Sequence, residues 1–481
     1  MVFSSFSFIS VFLPLFLISY YLIDDKYRNL CILIYSITFY AYGCMDNPYY
    51  VIILLLSLYI NYRLALVIEK HNSICKLVFV IAIIFNLSIL FIFKYFDFAT
   101  DIISYFNNSV SIKKLNLVLP IGISFYTFQV LSYIIDVYTR KIHALDNMVN
   151  LFTYIIMFPQ LIAGPILRYD NIRYYIENKK VLNYKVFFSG LRIFIIGLSS
   201  KVIIANQLSA VQLDIGIYDP DTISFSTTWL CSICYLMQLY FDFYGYSIMA
   251  IGLGKMMGFE IIENFNEPLK SLSVRDFWNR WHISLSHWFK DYVFYPIYRS
   301  RLLTSFKDKF SKIISYDLAN FIVYIISIFV VWLLTGLWHG ASVNFVIWGL
   351  FFFVLMFVEK VILNSIIEKH KIFGHIYLLF AVVIAFTIFS NDDLSVLIIK
   401  LRNMFLLNKV TIIDDNFVEI FKNNIKAILL GIISVIGIPQ YFYKKLKSYK
   451  MVNTIIIASL LVICVWLIYV GNNDPFMYFR F

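Results

Sequence analysis

The sequence predicts an all-α polytopic membrane protein, and three observations lead to that fold class. Of its 481 residues, 61% are hydrophobic and 14% are charged, whereas soluble domains are roughly 45–50% apolar and about 25% charged. The mean hydropathy is +0.78. The apolar residues form long continuous runs, which distinguishes them from the alternating pattern of a membrane β-barrel. We therefore expect one multi-pass membrane domain over residues 1–481.

The apolar runs predict about 10–13 spanning or re-entrant helices, because about 20 apolar residues cross the hydrocarbon core of a bilayer. Several runs are too short or too interrupted to be simple spans. The first run lacks the basic start and the cleavage site of a secretory signal peptide, so we expect it to be retained. The runs are 6–23, 28–43, 49–68, 75–95, 115–137, 149–166, 184–208, 224–258, 317–337, 341–363, 374–391, 425–440 and 451–470.

The basic residues predict how the chain is oriented. Lys and Arg number 40 against 29 Asp and Glu, a net charge of +11. In a membrane protein this excess indicates basic cytoplasmic loops and no nucleic-acid partner. Residues 259–312 and 444–450 are both rich in Lys and Arg. We expect both on the cytoplasmic side, with 259–312 forming an amphipathic or re-entrant segment.

A histidine between two apolar runs is the sharpest candidate for catalysis. His339 stands in the stretch Leu337–Ala341, and Gly336 and Gly340 bracket it, so we expect a break between two helices there. Imidazole has an ordinary pKa near neutrality, which suits it to take a proton from a hydroxyl group. The alternative is a histidine that bonds a backbone carbonyl at a helix kink.

The segment from Arg275 to Asp291 predicts one interfacial helix with distinct faces. The pair Asp276 and Arg280 has the i, i+4 spacing of a surface ion pair. Either the polar face borders a pocket or the helix only anchors the protein. The apolar face would carry Trp278, Trp281, Leu285 and Trp288, and the polar face Asn279, His282, Ser286 and Lys290.

Three further stretches place polar or helix-breaking residues among apolar ones. Asp242 needs a partner within or beside a span; we expect a structural ion pair, or a contact with a basic residue or histidine of the 275–290 segment. Prolines and glycines in Phe158–Ile166 and Leu119–Gly122 predict broken helices, which at membrane depth border protein or a cavity. Gln129 follows the second of these breaks in the same apolar run. The scattered cysteines suggest no metal site.

Together these stretches resemble the membrane-bound O-acyltransferase (MBOAT) family, in particular its bacterial branch that acts in alginate O-acetylation. The resemblance runs through most of the chain. One stretch, Tyr295–Ser300, departs from the Pro-Leu-Gly-Gly run that relatives often have. The stretches that match are Leu119–Gln129, Phe158–Arg168, Phe241–Ser247, Glu263–Asn266, Phe277–Ser286, Gly336–Ala341 and Asp474–Phe481.

The resemblance implies a bundle of helices around a central tunnel in the cytoplasmic (inner) membrane. It implies a catalytic histidine at His339 as general base and a second family histidine at His282. His282, Asn279 or a backbone N–H near Gly340 would stabilise the tetrahedral oxyanion. No cofactor is expected; the donor would be an acyl thioester, acetyl-CoA or an acyl carrier protein, on the cytoplasmic side. The tunnel and its support would involve Asn279, Ser286, Asp242, Trp338, Gly340 and Gln129.

The sequence is compatible with more than one route from the acyl group to its acceptor. The acyl group would reach hydroxyls of an envelope polysaccharide directly or through an extracytoplasmic partner transferase; the lack of a soluble polymer-binding domain favours the partner. The departure at Tyr295–Ser300 leaves D-alanyl transfer from a carrier protein to teichoic acid as an alternative. A glycan or lipid transporter would have an internal repeat, which we do not find. A scaffold would tolerate replacement of both histidines.

Overall fold

The computed structural model describes residues 2–107, 112–446, 448–471 and 477, and these residues are mostly helical. Within them, a single isolated antiparallel bridge joins Phe265 to Trp281, and no strand is formed. The all-α fold class is therefore confirmed. The terminal stretch Asp474–Phe481, which carries part of the resemblance, lies outside the described residues except for Met477.

The chain divides into two compact units. One consists of Met1–Leu198, Tyr246–Glu263 and Ile468–Arg480, and the other of Ser199–Gly245 and Asn264–Leu467 with Phe481. They are called the first unit and the second unit.

Most of the helices up to residue 215 lie on the apolar runs of the sequence. They are α1 (Phe8–Leu22), α2 (Arg28–Gly43), α3 (Tyr49–Lys70), α4 (Cys75–Phe106), α5 (Ile123–Tyr138), α6 (Met148–Ile156), α7 (Phe158–Leu161), α8 (Tyr169–Glu177) and α9 (Tyr184–Ile215).

The helices after residue 215 include short ones on the basic segment. They are α10 (Phe225–Met256), α11 (Val274–Arg280), α12 (Ile283–Phe289), α13 (Tyr295–Tyr298), α14 (Arg301–Phe310), α15 (Tyr316–His339), α16 (Val343–Lys369), α17 (Lys371–Phe389), α18 (Leu394–Met404), α19 (Asp415–Ile436), α20 (Ile438–Leu446) and α21 (Lys450–Val470).

Of the helices in the described residues, 7 are long and apolar enough to cross a membrane, or 8 if the bent pair α19–α20 forms one span. The 7 are α3, α4, α9, α15, α16, α17 and α21. The run 224–258 forms α10, which has 32 residues but is not among the seven. Several other predicted runs fold as shorter helices. The run 115–137 becomes helical only at Ile123, because Pro120 and Gly122 precede it and Gly122 has a φ of +72°. The run 149–166 is divided into α6 and α7 by Met157.

Within the first unit, polar contacts join helices that are otherwise apolar. The amides of Asn61 on α3 and Asn86 on α4 bond each other in both directions, at 3.0 and 2.7 Å. Both side chains are buried. Buried amide pairs of this kind hold membrane helices together, since lipid offers their polar atoms no partner.

Within the second unit, α15 and α16 pack closely through two glycines. A Cβ atom on Gly336 would collide with the carbonyl group of Phe345, and one on Gly349 with the carbonyl oxygen of Trp332. Small residues of this kind let helix backbones approach each other. The predicted break follows Gly336 by one turn: α15 continues through His339, and Gly340 is the first extended residue. Gly336 is thus a packing residue and not a hinge.

Candidate active site

His339 is the last residue of a spanning helix. It ends α15, is buried, and is followed by Gly340, whose backbone is extended. A Cβ atom on Gly340 would collide with the ring of Phe345, so this position needs a glycine to accommodate the neighbouring helix. Carbonyl groups at a helix C-terminus carry the negative end of the helix dipole, which favours positive charge on an imidazole at this position.

The imidazole of His339 lies among aromatic rings. Its ring centre is 4.8 Å from that of Trp338, 4.9 Å from that of Trp348 and 5.1 Å from that of Phe389, all in edge-to-face arrangements. Trp348 is on α16 and Phe389 ends α17. Three helices of the second unit thus surround the histidine with apolar surface, which limits the access of water to its ring.

His282 is positioned by backbone pairing between two separate parts of the chain. The N–H of Asn266 donates to the carbonyl of Arg280 at 2.9 Å, and the N–H of Ile283 donates to the carbonyl of Asn264 at 3.0 Å. Between these two bonds the chain turns sharply, and His282 has a φ of +46°. Residues other than glycine seldom adopt this left-handed conformation, so the pairing with residues 264–266 holds it there.

The prediction of one helix from Arg275 to Asp291 was therefore wrong. The chain forms α11, breaks at Trp281 and His282, and resumes as α12, because the extended residues 264–266 pair with the chain at the break. The proposed faces are divided accordingly. Trp278 packs on Trp332 and Trp348, whereas Trp281 packs elsewhere, on Tyr240, Phe265, Phe277 and Phe386.

The environment of His282 keeps its ring neutral. The side chain is fully buried, and burial lowers its pKa to about 3. Its Nδ1 lies 3.3 Å from Oδ1 of Asn264, and the edge-to-face ring of Phe243 on α10 is 4.7 Å away between ring centres. A neutral imidazole can offer either a donor or an acceptor at each nitrogen, depending on the tautomer.

One tryptophan contacts both histidines. The ring of Trp338 is 4.8 Å from that of His339 and 5.9 Å from that of His282. The two histidines, 57 positions apart by their numbers, therefore border the same indole ring. The structure thus brings together His339, His282, Trp338 and Gly340 of the predicted site.

Asn279 and Ser286 line a cavity instead of facing the same direction as His282. This cavity of about 260 Å³ lies between α11–α12 and the spanning helix α15. Its walls are mainly apolar, and Arg275 and Lys290 add positive charge. The Ser286 hydroxyl donates to the carbonyl of Trp278 at 3.0 Å. Thr335 also lines the cavity, one turn before His339, so the cavity follows the helix that carries the candidate base.

Asp242 forms the structural ion pair that its sequence position predicts. Its Oδ1 lies 2.7 Å from Nζ of Lys201, and both side chains are almost fully buried. The partner comes from α9 and not from the basic 275–290 segment. Phe243, the next residue in the chain, packs edge-to-face against His282. The Asp242–Lys201 ion pair is therefore adjacent to a residue that contacts this histidine. Gln129 is buried in α5 and belongs to the first unit.

Three residues that sequence reasoning missed support the site. Asn264 contacts His282, and Lys201 pairs with Asp242. Glu359 accepts hydrogen bonds from the N–H groups of Val274 and Arg275, at 2.5 and 3.2 Å, and so caps α11. Lys201 and Glu359 could have been found as charged residues inside apolar runs. Each lies on a π-type turn of its helix, a feature frequent at functional sites.

Comparison with known proteins gives one family and several relatives that match more than half of this chain. The model of the MBOAT, membrane-bound O-acyltransferase family, matches residues 32–311. A probable alginate O-acetylase of Azotobacter vinelandii is 34% identical over 93% of this chain and 87% of its own length. A peptidoglycan O-acetyltransferase of Helicobacter pylori is 31% identical over 84% of this chain and 80% of its own. A teichoic acid D-alanyltransferase of Bacillus subtilis is 31% identical over 64% of this chain and 73% of its own.

Proposed function

Because the chain belongs to the membrane-bound O-acyltransferase family, we propose that this multi-pass acyltransferase moves an acetyl group from a cytoplasmic thioester to an envelope polysaccharide. The acceptors are hydroxyl groups outside the cytoplasmic membrane. The observation that carries the proposal is the placement of His339 and His282 against one indole ring at the end of a spanning helix. The relatives named as O-acetylases support the choice of acetyl and of an envelope polymer.

The chemistry needs one base and one site for negative charge. The acceptor oxygen attacks the thioester carbonyl carbon, and His339 takes the hydroxyl proton. The tetrahedral intermediate collapses with cleavage of the C–S bond, and the leaving thiolate receives the proton from the imidazolium. General-base catalysis of this type contributes about 10²–10⁴ to the rate. The dry aromatic surroundings strengthen electrostatic interactions with the developing charge.

The cavity beside α15 is suited to the thioester donor. Arg275 and Lys290 offer cations to the phosphate groups of acetyl-CoA or of an acyl carrier protein. The apolar wall includes Ile328 and Val331 and continues to Thr335, near the helix end that carries His339. The positive charge of this segment also favours a cytoplasmic location, which is where acyl thioesters are made.

The acceptor reaches the acyl group from the other side of the membrane, directly or through an extracytoplasmic partner transferase. Only the acyl group then crosses, and the large carrier stays in the cytoplasm. Deleting a partner transferase separates the two routes. Under direct transfer the polymer ester persists in the deletion strain, and under relay it disappears although this chain is intact.

The test of the proposal is the ester content of the cell envelope. Esters are released by mild base and identified by mass in cells with the wild-type chain, His339→Ala or His370→Ala. His370 is exposed between α16 and α17 and serves as the matched control. We expect His339→Ala to lose the ester at normal membrane protein level, while His370→Ala keeps it. Unchanged ester in His339→Ala would overturn the role of His339 as base.

D-alanyl transfer is the second candidate, and the relative from Bacillus subtilis is the observation that favours it. The same measurement decides between the two, because mild base releases acetate in one case and alanine in the other. A requirement for a carrier protein in membrane vesicles would also point to the second candidate, whereas transfer from acetyl-CoA alone would support the first.

A further inference from the structure

A strongly basic groove lies on the segment that precedes the spanning helix α15. Its cavity has a volume of about 510 Å³, and its cations are Arg299, Arg301, Lys309 and Lys312, against one carboxylate, that of Asp308. Within the part of the chain that the structure describes, none of these four cations forms an ion pair. Cations gathered around one cavity without acidic partners favour an anionic ligand.

The side chains of this basic groove suit a phosphate group. The guanidinium group of an arginine binds two phosphate oxygens at once, and the groove has two arginines. The hydroxyl groups of Thr304 and Ser305 also line it and can donate to further oxygens. Asp308 offers an acceptor for a hydroxyl or amino group beside the phosphate. The phosphate of a larger headgroup therefore fits this set of side chains better than a bare anion does.

Helix α14 presents apolar side chains next to the groove. At 3.6 residues per turn, Arg301, Ser305 and Lys309 share one face, and the adjacent face carries Leu302, Phe306 and Phe310. Leu302 is 75% exposed, and Ile313, just after the helix, is 79% exposed. A basic amphipathic helix of this kind lies in the interface of a bilayer, where a ligand with a charged head and apolar chains covers both faces.

Two hydrogen bonds hold the groove at the start of a spanning helix. Nζ of Lys307 on α14 donates to the Tyr316 hydroxyl at 3.2 Å, and the Tyr298 hydroxyl on α13 donates to Oδ1 of Asn320 at 2.9 Å. Tyr316 is the first residue of α15. Because spanning helices begin near the lipid headgroups, the groove lies at headgroup level.

We propose that the basic groove binds the headgroup of an anionic phospholipid in the cytoplasmic leaflet, with Leu302 and Ile313 against its acyl chains. Clusters of Lys and Arg beside a spanning helix attract anionic lipids in this way. A soluble phosphate compound offers the same charge but leaves the apolar side chains uncovered. The groove shares no lining residue with the cavity beside α15, so the inference is independent of the proposed function.

The test is the stabilisation of the purified full-length protein, in neutral detergent, by added phosphatidylglycerol. We expect a saturable rise of the unfolding temperature, and little rise with phosphatidylcholine, whose headgroup has no net charge. In Arg301→Gln/Lys309→Gln the apparent Kd should increase about 30-fold, since each cation near an anionic lipid contributes about a factor of five. No saturable rise in the wild type, or an unchanged Kd in this variant, overturns the proposal.

The matched control removes the same charge from another basic helix. Lys444→Gln/Lys445→Gln changes two lysines of α20, a helix without buried residues, on the side of the membrane where we also expect the groove. The Kd of this control should stay near that of the wild type. An equal increase in both double variants would mean that overall positive charge attracts the lipid, which overturns a defined site.

A third variant and two soluble probes distinguish a lipid from a free phosphate compound. Leu302→Gln removes an exposed apolar side chain and should increase the Kd for phosphatidylglycerol about 10-fold. An unchanged Kd in Leu302→Gln overturns the lipid assignment. Coenzyme A and inorganic phosphate are titrated in the same way. If either stabilises the wild type as strongly as the lipid does, and Arg301→Gln/Lys309→Gln abolishes that effect, the groove binds soluble phosphates and the proposal is overturned.

Discussion

The two histidines of the site are held in place in different ways. His339 is the end of one spanning helix, and its neighbours come from the two helices that follow it in the chain. His282 lies in a break between two short helices, and the break depends on pairing with residues 264–266 and on a ring from α10. The first placement follows from helix packing nearby in sequence, whereas the second depends on contacts between parts of the chain further apart.

This difference indicates where each histidine can be disturbed. Changes in the contact between α15 and α16 should move His339 and leave the turn at His282 intact. Changes on α10, or in the cap of α11, should act on His282 first.

Breaking the buried ion pair on the His282 side should cost the most. Lys201→Met leaves the Asp242 carboxylate buried without its cation, and loss of one partner of a buried pair costs about 3–5 kcal/mol. We expect a large drop in the thermal unfolding temperature of the purified protein in detergent. The double variant Lys201→Met/Asp242→Leu, in which no charge remains, should recover most of it. An equal drop in unfolding temperature in the single and double variants would contradict an electrostatic cause of the destabilisation.

On the His339 side, the close contact of two helices is the point to disturb. In Gly336→Ala the new methyl group meets the carbonyl group of Phe345, and overpacking of this kind costs about 1–3 kcal/mol. The two helices must then separate, and this displaces His339, which lies one turn after Gly336. We therefore expect ester content to fall more than protein level. Gly216→Ala, at a helix end with more room, is the control. If Gly336→Ala retained full activity, the position of His339 would not depend on this contact.

The cap of α11 links the surroundings of the two histidines. Glu359 lies on α16, which packs around His339, but it binds the first turn of α11, which precedes His282. Glu359→Ala leaves the N–H groups of Val274 and Arg275 without this acceptor, and loss of a helix cap costs about 0.5–2 kcal/mol. We expect a moderate drop in unfolding temperature and, in protein labelled with ¹⁵N-histidine, a shift of the ¹⁵N magnetic resonance signals of His282, which comparison with His282→Gln assigns. Signals of His339 that shift as much as those of His282 would argue against separate placement.

The sequence predicts the His339 side better than the His282 side, for a physical reason. Apolar runs and a glycine next to a histidine are local signals, and the helix end at Gly340 follows from them. The ion pair of Asp276 with Arg280 is also local and is confirmed at 2.9 Å. The break at His282 is set by residues 264–266, and no periodicity within 275–291 records that pairing. The partner of Asp242 was likewise out of reach, because Lys201 is on another helix.

The smallest effect is expected for that local pair of α11. Asp276 and Arg280 are each about one third exposed, at 35%, and exposed i, i+4 pairs contribute about 0.3–0.5 kcal/mol. Asp276→Ala should therefore leave the unfolding temperature and the ¹⁵N signals of His282 almost unchanged. The N–H of residue 276 keeps its bond to the Ser273 hydroxyl, which caps the same turn at 3.1 Å. Ser273→Ala removes that cap and should cost more, about 0.5–2 kcal/mol. A larger drop in unfolding temperature for Asp276→Ala than for Ser273→Ala would mean that surface charges stabilise α11 more than its cap does. The pairing with residues 264–266 would then not be the main interaction that holds His282.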